Sequence, residues 1–296
     1  MNTLNSVDLQ YQELCKEILN QTNLRNNRTK INTYSIFGRS LRFNLKEGFP
    51  IITTKKVAWK SAFHETLWMF CQGNPDCKYL KENNVKIWNE WIQTNEEYPN
   101  GTIGNLYGQV LRHYKINDNS QIDQLQNCID LIKNNPNSRR IIMTAWDPKT
   151  IADDSATFLE NVNNGKGVLA PCHGTFIHFY VNGNTLDMST YQRSVDICLG
   201  LPFNIVGYSL LLHMVAHVCN LEVCELVYFL GDTHLYENQL DAINQQLTIH
   251  TSYELPKLII NKKIISIFKT SINSLRIIKI IIKINYFKTK ILIIYL

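Results

Sequence analysis

The sequence predicts an α+β fold, or α/β in some schemes: a single domain with a mixed or antiparallel sheet packed against helices. Three observations carry that expectation. Apolar residues recur at helical spacing in several windows, short apolar runs bounded by turn residues read as strands, and the regular strand–helix alternation of a doubly wound sheet is absent.

Taken in order, Leu9–Gln21 is the first predicted helix and Trp59–Gln72 the second, where Phe63, Leu67 and Phe70 share one face. Gln121–Asn134 is a third helix, followed by a strand over Arg140–Trp146. Strands at Gly174–Val181 and Asn184–Tyr191 flank Asn182-Gly183, a strong hairpin signal. Ile197–Leu221 carries no charge and has the length of a membrane span. Pro202, Asn204, His213 and His217 interrupt it, so it reads as a buried helix over Ile205–Cys219. A strand at Glu225–Leu230 and a helix at His234–Leu247 complete the pattern.

The net charge of +5 invites a nucleic-acid reading, but its location argues otherwise. Residues 269–296 hold six bases and no acid, leaving 24 bases and 25 acids in the remainder. The body is near neutral, and neither nucleic acid nor membrane is its expected partner. The N-terminal MNTLNSVDLQ lacks the apolar core of a secretory signal. Eight cysteines without a Cys-x-x-Cys pair then read as reduced thiols of a cytoplasmic protein.

Several segments carry chemistry. Pro171 fixes the backbone before Cys172, at a turn entering a strand. Such a thiol is either an inert buried cysteine, the commoner case, or a nucleophile activated by nearby cations. Arg139-Arg140 precedes one strand and Arg193-Ser194 follows another; arginine with serine near a turn suits a phosphate, though solvated arginines look the same. Asn204 opens the long helix, as an N-cap or as an amide reading a planar base edge. His234 and Tyr236 follow a strand and suit a sugar hydroxyl. Glu65 sits on an apolar helix, facing water or raised in pKa for proton transfer. Trp88 and Trp91 serve a core or a stacking surface. His213 and His217 are four apart without a third ligand, so no metal site is expected.

These motifs in this order resemble the thymidylate synthase family. The matching strings include Ser35-Ile36-Phe37-Gly38, Gly48-Phe49-Pro50, His64-Glu65, Ile87-Trp88-Asn89-Glu90-Trp91, Ser138-Arg139-Arg140, Ala170-Pro171-Cys172-His173 and Tyr191-Gln192-Arg193-Ser194. Leu199-Gly200-Leu201-Pro202-Phe203-Asn204 and Gly231-Asp232-Thr233-His234-Leu235-Tyr236 complete the set. The resemblance runs from about Leu9 to Phe268, giving a catalytic domain over 1–268 and an atypical tail over 269–296. It implies a homodimer joined through its sheets that methylates dUMP to dTMP with 5,10-methylenetetrahydrofolate as co-substrate and no metal. Cys172 is then the nucleophile, Glu65 manages protons and Tyr107 assists. Arg28, Arg193 and Ser194 hold the phosphate, with Arg139 and Arg140 donated across the interface. Asn204 reads the pyrimidine, His234 and Tyr236 the ribose, Asp196 borders the nucleotide and binds the pterin, and Trp88 lines the folate site.

The sequence also departs from the family pattern. Thr29-Lys30-Ile31-Asn32 replaces a glycine-containing run after Arg28, Asn105 and Leu111 replace a proline and a tryptophan, and Leu230 replaces a glycine. The tail has ten isoleucines and six bases in residues 269–296, a composition that A+T-rich DNA yields in the wrong frame. An altered terminus of that kind predicts retained dUMP binding with low turnover, because a closing tail excludes water. Alternatives to the methylating enzyme are a pyrimidine hydroxymethylase acting on dUMP or dCMP, and a catalytically impaired nucleotide-binding homologue.

Overall fold

A computed structural model describes residues 3–117, 119–260, 279–284 and 290–295, the last two ranges as backbone strands. The fold opens with helix α1 (Ser6–Leu19). Asn5 caps it, its side chain accepting from the N–H groups of Val7 and Asp8, so the helix starts three residues before the predicted Leu9. Strands β1 (Leu24–Arg25) and β2 (Thr33–Asn44) follow. The sequence predicts no strand over β2, although its alternation of Leu41 and Phe43 inward with Arg42 and Asn44 outward carries the strand period.

Helix α2 (Trp59–Leu67) runs on as a π-helical turn over Trp68–Gln72, ended by Gly73 at φ 67°. Together they span the predicted Trp59–Gln72. Short helices α3 (Lys78–Glu82) and α4 (Gly108–Arg112) lead to a hairpin of β3 (Tyr114–Asn117) and β4 (Ser120–Ile122). Asp123 then caps α5 (Gln124–Asn134) by accepting from Gln126 N–H at 2.9 Å, which moves the start past the predicted Gln121. Arg112 forks onto both oxygens of Asp123 at 2.8 Å and also donates to the Phe70 carbonyl, joining α4, α5 and the π turn.

The main sheet has six strands, with β1 at one edge and β2 next to it. At the edge away from β1 lies β5 (Ile142–Met143), far shorter than the predicted Arg140–Trp146, with β6 (Phe176–Asn182) beside it. Between β5 and β6 lies α6 (Phe158–Asn163), opened by a Thr157–Glu160 capping box. β6 pairs antiparallel with β7 (Thr185–Asp196) across Gly183 at φ 59°, as the hairpin signal predicted. β8 (Glu222–Tyr236) lies parallel to β7 and antiparallel to β2. The sheet is therefore mixed, in the order β1-β2-β8-β7-β6-β5, and its parallel pair is joined by helix α7 (Gly200–Cys219).

Three expectations change. β7 extends five residues beyond the predicted Tyr191, so Arg193, Ser194 and Asp196 lie on the strand and not after it. β8 runs through His234 and Tyr236, where the sequence predicts a helix start; a 3-10 turn at Glu237–Gln239 intervenes before α8 (Leu240–Leu247). The hydrogen bonds of two neighbouring strands override the local helical pattern there. Asn204 is not an N-cap: α7 begins at Gly200, with Pro202 in its first turn where no intrahelical N–H is lost.

α7 fills the core, with Leu210, Leu211, Leu212 and Val215 fully buried. It is long and apolar enough to cross a membrane, but 72% of its apolar window is buried inside the fold. At Gly207 a Cβ would fall 2.9 Å from Thr66 Oγ1, so glycine permits the close crossing of α2 and α7. His213 stacks on Phe49 with centroids 5.8 Å apart, in the core role expected of it. Strands β9 (Lys279–Ile284) and β10 (Lys290–Tyr295) pair antiparallel. The proposed boundary at Phe268 and most of the tail lie outside the described residues.

Candidate active site

Cys172 sits between the Pro171 turn and β6, half-buried. Its N–H donates to the Tyr107 hydroxyl at 2.9 Å, and its carbonyl accepts from the Arg193 N–H at 2.9 Å. The Arg193 guanidinium reaches back over the same turn, donating to the Pro171 carbonyl at 2.8 Å and the Ala170 carbonyl at 3.1 Å. Its Nη2 lies 4.0 Å from Cys172 Sγ, and the guanidinium stacks on Trp146 at 5.5 Å. A cation thus stands beside the thiol, as thiolate chemistry requires.

His173 does not serve as a base to its neighbour. It stacks on Tyr107 with centroids 4.6 Å apart and its Nδ1 meets the Tyr208 hydroxyl at 2.7 Å. Burial lowers its pKa to about 4, which keeps the ring neutral. Gly174 adopts φ 57°, and a Cβ there would fall 2.1 Å from the Tyr208 hydroxyl, so only glycine allows the strand to start against this pair.

Tyr107 is buried and holds φ at 43°, a left-handed conformation unusual for an aromatic residue. Burial, with Cys172 and Tyr208 adding, pushes its phenol well above the ordinary range. Glu65 faces a narrow cleft also lined by Phe70, His173, Phe203, Asn204 and Tyr208. Its Oε1 accepts from the Trp88 indole at 2.7 Å. Burial raises its pKa to about 7 while the indole hydrogen bond opposes the shift. Of the two readings of Glu65, the buried, raised one holds.

Asn204 and Tyr208 stand one turn apart on α7 and face the same cleft. The Asn204 amide donates to Gln192 Oε1 at 3.3 Å; Gln192 also accepts from the Tyr228 hydroxyl at 2.9 Å and donates to the Ser194 carbonyl at 3.0 Å. That chain sets which way the Asn204 amide points. Asp196, at the end of β7, accepts on Oδ1 from the N–H groups of Cys198 at 2.9 Å and Leu199 at 3.1 Å. Across the strands, Asp196 is register partner to His234, whose Nδ1 lies 3.3 Å from Asp232 Oδ1. Burial raises the Tyr236 phenol, with Asp196 and Cys172 adding and Arg28 opposing.

The fold therefore brings Cys172, Arg193, Tyr107, Glu65 and Asn204 together, with Asp196, His234 and Tyr236 at the adjoining strand ends. Trp88 is 8% exposed, its ring packed against Tyr107 and Trp91 and its N–H spent on Glu65. Arg28 is exposed on a loop in which Lys30 takes φ 63°, at a position where the resembling family has glycine. Asn27 braces that loop, accepting from Thr29 N–H at 2.8 Å and donating to the Ile31 carbonyl at 2.7 Å. Arg139 and Arg140 are exposed just before edge strand β5, and no hydrogen bond or ion pair joins them to the Cys172 turn among the described residues. Tyr208, Gln192 and Trp146 are not among the site residues that the sequence predicts. Tyr208 was findable from its spacing to Asn204; nothing local marked the other two. Among the described residues no three metal-ligating side chains gather.

Comparison with known proteins gives one consistent result. A family model described as thymidylate synthase matches residues 9–283. A thymidylate synthase of Francisella tularensis subsp. holarctica is 44% identical over 259 residues, covering 88% of this chain and 90% of that protein.

Proposed function

The chain belongs to the thymidylate synthase family, and from that premise we propose that Cys172 is the nucleophile in its reductive methylation of dUMP to dTMP. The observation that carries the assignment is the Cys172 thiol lying 4.0 Å from Arg193 Nη2, next to a cleft walled by Glu65 and Asn204. The Cys172 thiolate adds to carbon 6 of the uracil, which makes carbon 5 nucleophilic. Glu65, poised near neutral pH, takes and returns protons through water in the cleft. Tyr107 holds the Cys172 N–H and so aims the turn. Asn204, with its amide direction set by Gln192, reads the pyrimidine edge. Arg193, Ser194 and Arg28 hold the phosphate, and His234 and Tyr236 hold the ribose.

When bound, 5,10-methylenetetrahydrofolate supplies the one-carbon unit and the hydride. The donor edge of a pterin suits Asp196, which is half-buried and keeps acceptor capacity on Oδ2. Trp88 contributes less open ring face than its expected place in the folate site called for, its indole being committed to Glu65.

The working unit is a homodimer in the cytoplasm. Support comes from the outer sheet face, where Phe176, Tyr191 and Phe229 are 43%, 36% and 45% exposed and stand side by side in register. A contiguous aromatic strip of this kind suits a second copy of the same sheet. Arg139 and Arg140 then act on the other subunit's nucleotide. All eight cysteines are free, in keeping with a reducing compartment.

The family and the relative favour methylation over hydroxymethylation and over an impaired binding homologue. Product mass tests this: with dUMP and the folate, a methylated nucleotide is expected. A hydroxymethylated product, or a preference for dCMP, would overturn the reading.

A further inference from the structure

We infer that Gln239 is a positioning residue that ties the folate-side carboxylate of Asp196 to the nucleotide-side strand end at Tyr236. This rests on the proposed roles of those two residues. The parallel ladder between β7 and β8 reaches its last register pair at Asp196 and His234, and Ile197 N–H then bonds the His234 carbonyl at 3.0 Å. Beyond that point the strands part, β8 continuing to Tyr236 while the chain after Asp196 turns into α7.

Gln239 spans the gap. Its Nε2 donates to Asp196 Oδ2 at 3.3 Å, and its Oε1 accepts from the Tyr236 N–H at 3.3 Å. A primary amide offers the same donor and acceptor as a peptide group, so this side chain stands in for a ladder step that the diverging strands no longer make. The two oxygens of Asp196 have separate duties. Oδ1 is taken by the N–H groups of Cys198 and Leu199, which fixes it to the start of α7. For Oδ2, Gln239 supplies the hydrogen bond, and so sets how the carboxylate is turned about its last torsion. Gln239 sits on the third residue of the 3-10 turn, which holds its amide over the strand ends.

Equilibrium binding on the full-length protein tests the role. The probes are dUMP alone and tetrahydrofolate in the presence of saturating dUMP, a folate with no transferable carbon. Gln239→Ala is expected to raise the tetrahydrofolate Kd about five- to tenfold, as loss of one ordinary hydrogen bond does, with the dUMP Kd within about twofold of the parent. Gln239→Glu keeps an acceptor for Tyr236 but sets a like charge against Asp196, and is expected to weaken folate binding at least as much. In an Asp196→Asn background the further effect of Gln239→Ala should fall below about twofold, because the two residues act through one contact. Melting temperatures of the variants, measured alongside, identify any general loss of structure.

A tetrahydrofolate Kd unchanged by Gln239→Ala, or an effect that persists in full with Asp196→Asn, overturns the role of Gln239. If Asp196→Asn weakens folate binding and Gln239→Ala does not, only Gln239 is dismissed. If Asp196→Asn itself leaves the Kd unchanged, the pterin role of Asp196 falls and this inference falls with it.

Discussion

The indole N–H of Trp88 donates to Oε1 of Glu65 at 2.7 Å, inside a cleft that otherwise offers the carboxyl little solvation. Two effects oppose each other on one group. Burial raises the Glu65 pKa to about 7, and the indole limits the rise. Removing the donor with Trp88→Phe therefore raises the pKa further. If the ionised carboxylate takes the proton, the acid limb of the kcat profile moves to higher pH, and a pH–rate series on the variant and the parent checks it.

The same group makes a stability prediction. The folded pKa of Glu65 lies above its unfolded value, so its contribution to stability is fully present below the unfolded pKa of 4.5 and lost as pH rises through about 7. A shift of this size corresponds to about 3 kcal/mol. Glu65→Gln, which carries no charge, should therefore gain stability relative to the parent between pH 5 and pH 8 while losing turnover. Denaturant melts at both pH values measure the difference, and an unchanged difference would count against the buried, raised carboxyl.

Arg193 has two tasks that lysine cannot share. Its Nε and Nη2 reach the carbonyls of Pro171 and Ala170 while its charge stands beside Cys172. A lysine in its place keeps the charge but not the planar fork. Arg193→Lys should weaken dUMP binding about tenfold, as loss of one charge-assisted bond does, and lower kcat because the cysteine turn loosens. Calorimetric titration and steady-state kinetics separate the two.

Asn204→Asp would face a carboxylate toward Gln192 Oε1, which already accepts from the Tyr228 hydroxyl. Gln192 cannot turn over freely, since its Nε2 holds the Ser194 carbonyl at 3.0 Å. The substitution is expected to lower kcat/KM for dUMP at least tenfold, about 1.4 kcal/mol or more, and to shift preference toward dCMP, whose amino group suits a carboxylate. Competition between the two nucleotides reads this directly.

Lys30 holds φ at 63°, where a side chain costs about 1 kcal/mol that glycine does not. Lys30→Gly should raise the melting temperature by about 2–4 °C, as expected for a protein of this size, with dUMP affinity kept or improved. A fall in melting temperature would mean that the Asn27-braced loop prefers the lysine.

Much of this site was readable from the chain alone, and the failures have physical causes. Cys172, Glu65, Asn204 and Arg193 stood out as candidates by residue type and setting (a thiol after proline, a carboxyl on an apolar helix, an amide opening a long apolar run, an arginine beside a serine near a turn), each with an inert alternative, and the family resemblance supplied their roles. The positions of Arg193, His234 and Tyr236 on strands were not readable, because β7 and β8 are lengthened by pairing with each other and not by their own patterns. β2 escaped because half of it is exposed, with Arg39, Ser40 and Arg42 outside, so its apolar alternation is visible only near its end. Gln192 and Gln239 carried no local mark. Their meaning lies in contacts to residues 12 and 43 positions away, which only the fold supplies.

The central claim is that this chain methylates dUMP with Cys172 as nucleophile. Release of tritium from 5-tritiated dUMP in the presence of 5,10-methylenetetrahydrofolate tests it most directly, with the full-length protein run beside Cys172→Ala. Sustained release from the parent is expected, with a loss of several orders of magnitude in the variant. Release that survives in Cys172→Ala would contradict the nucleophile, and a parent that binds dUMP yet releases no tritium would contradict the activity.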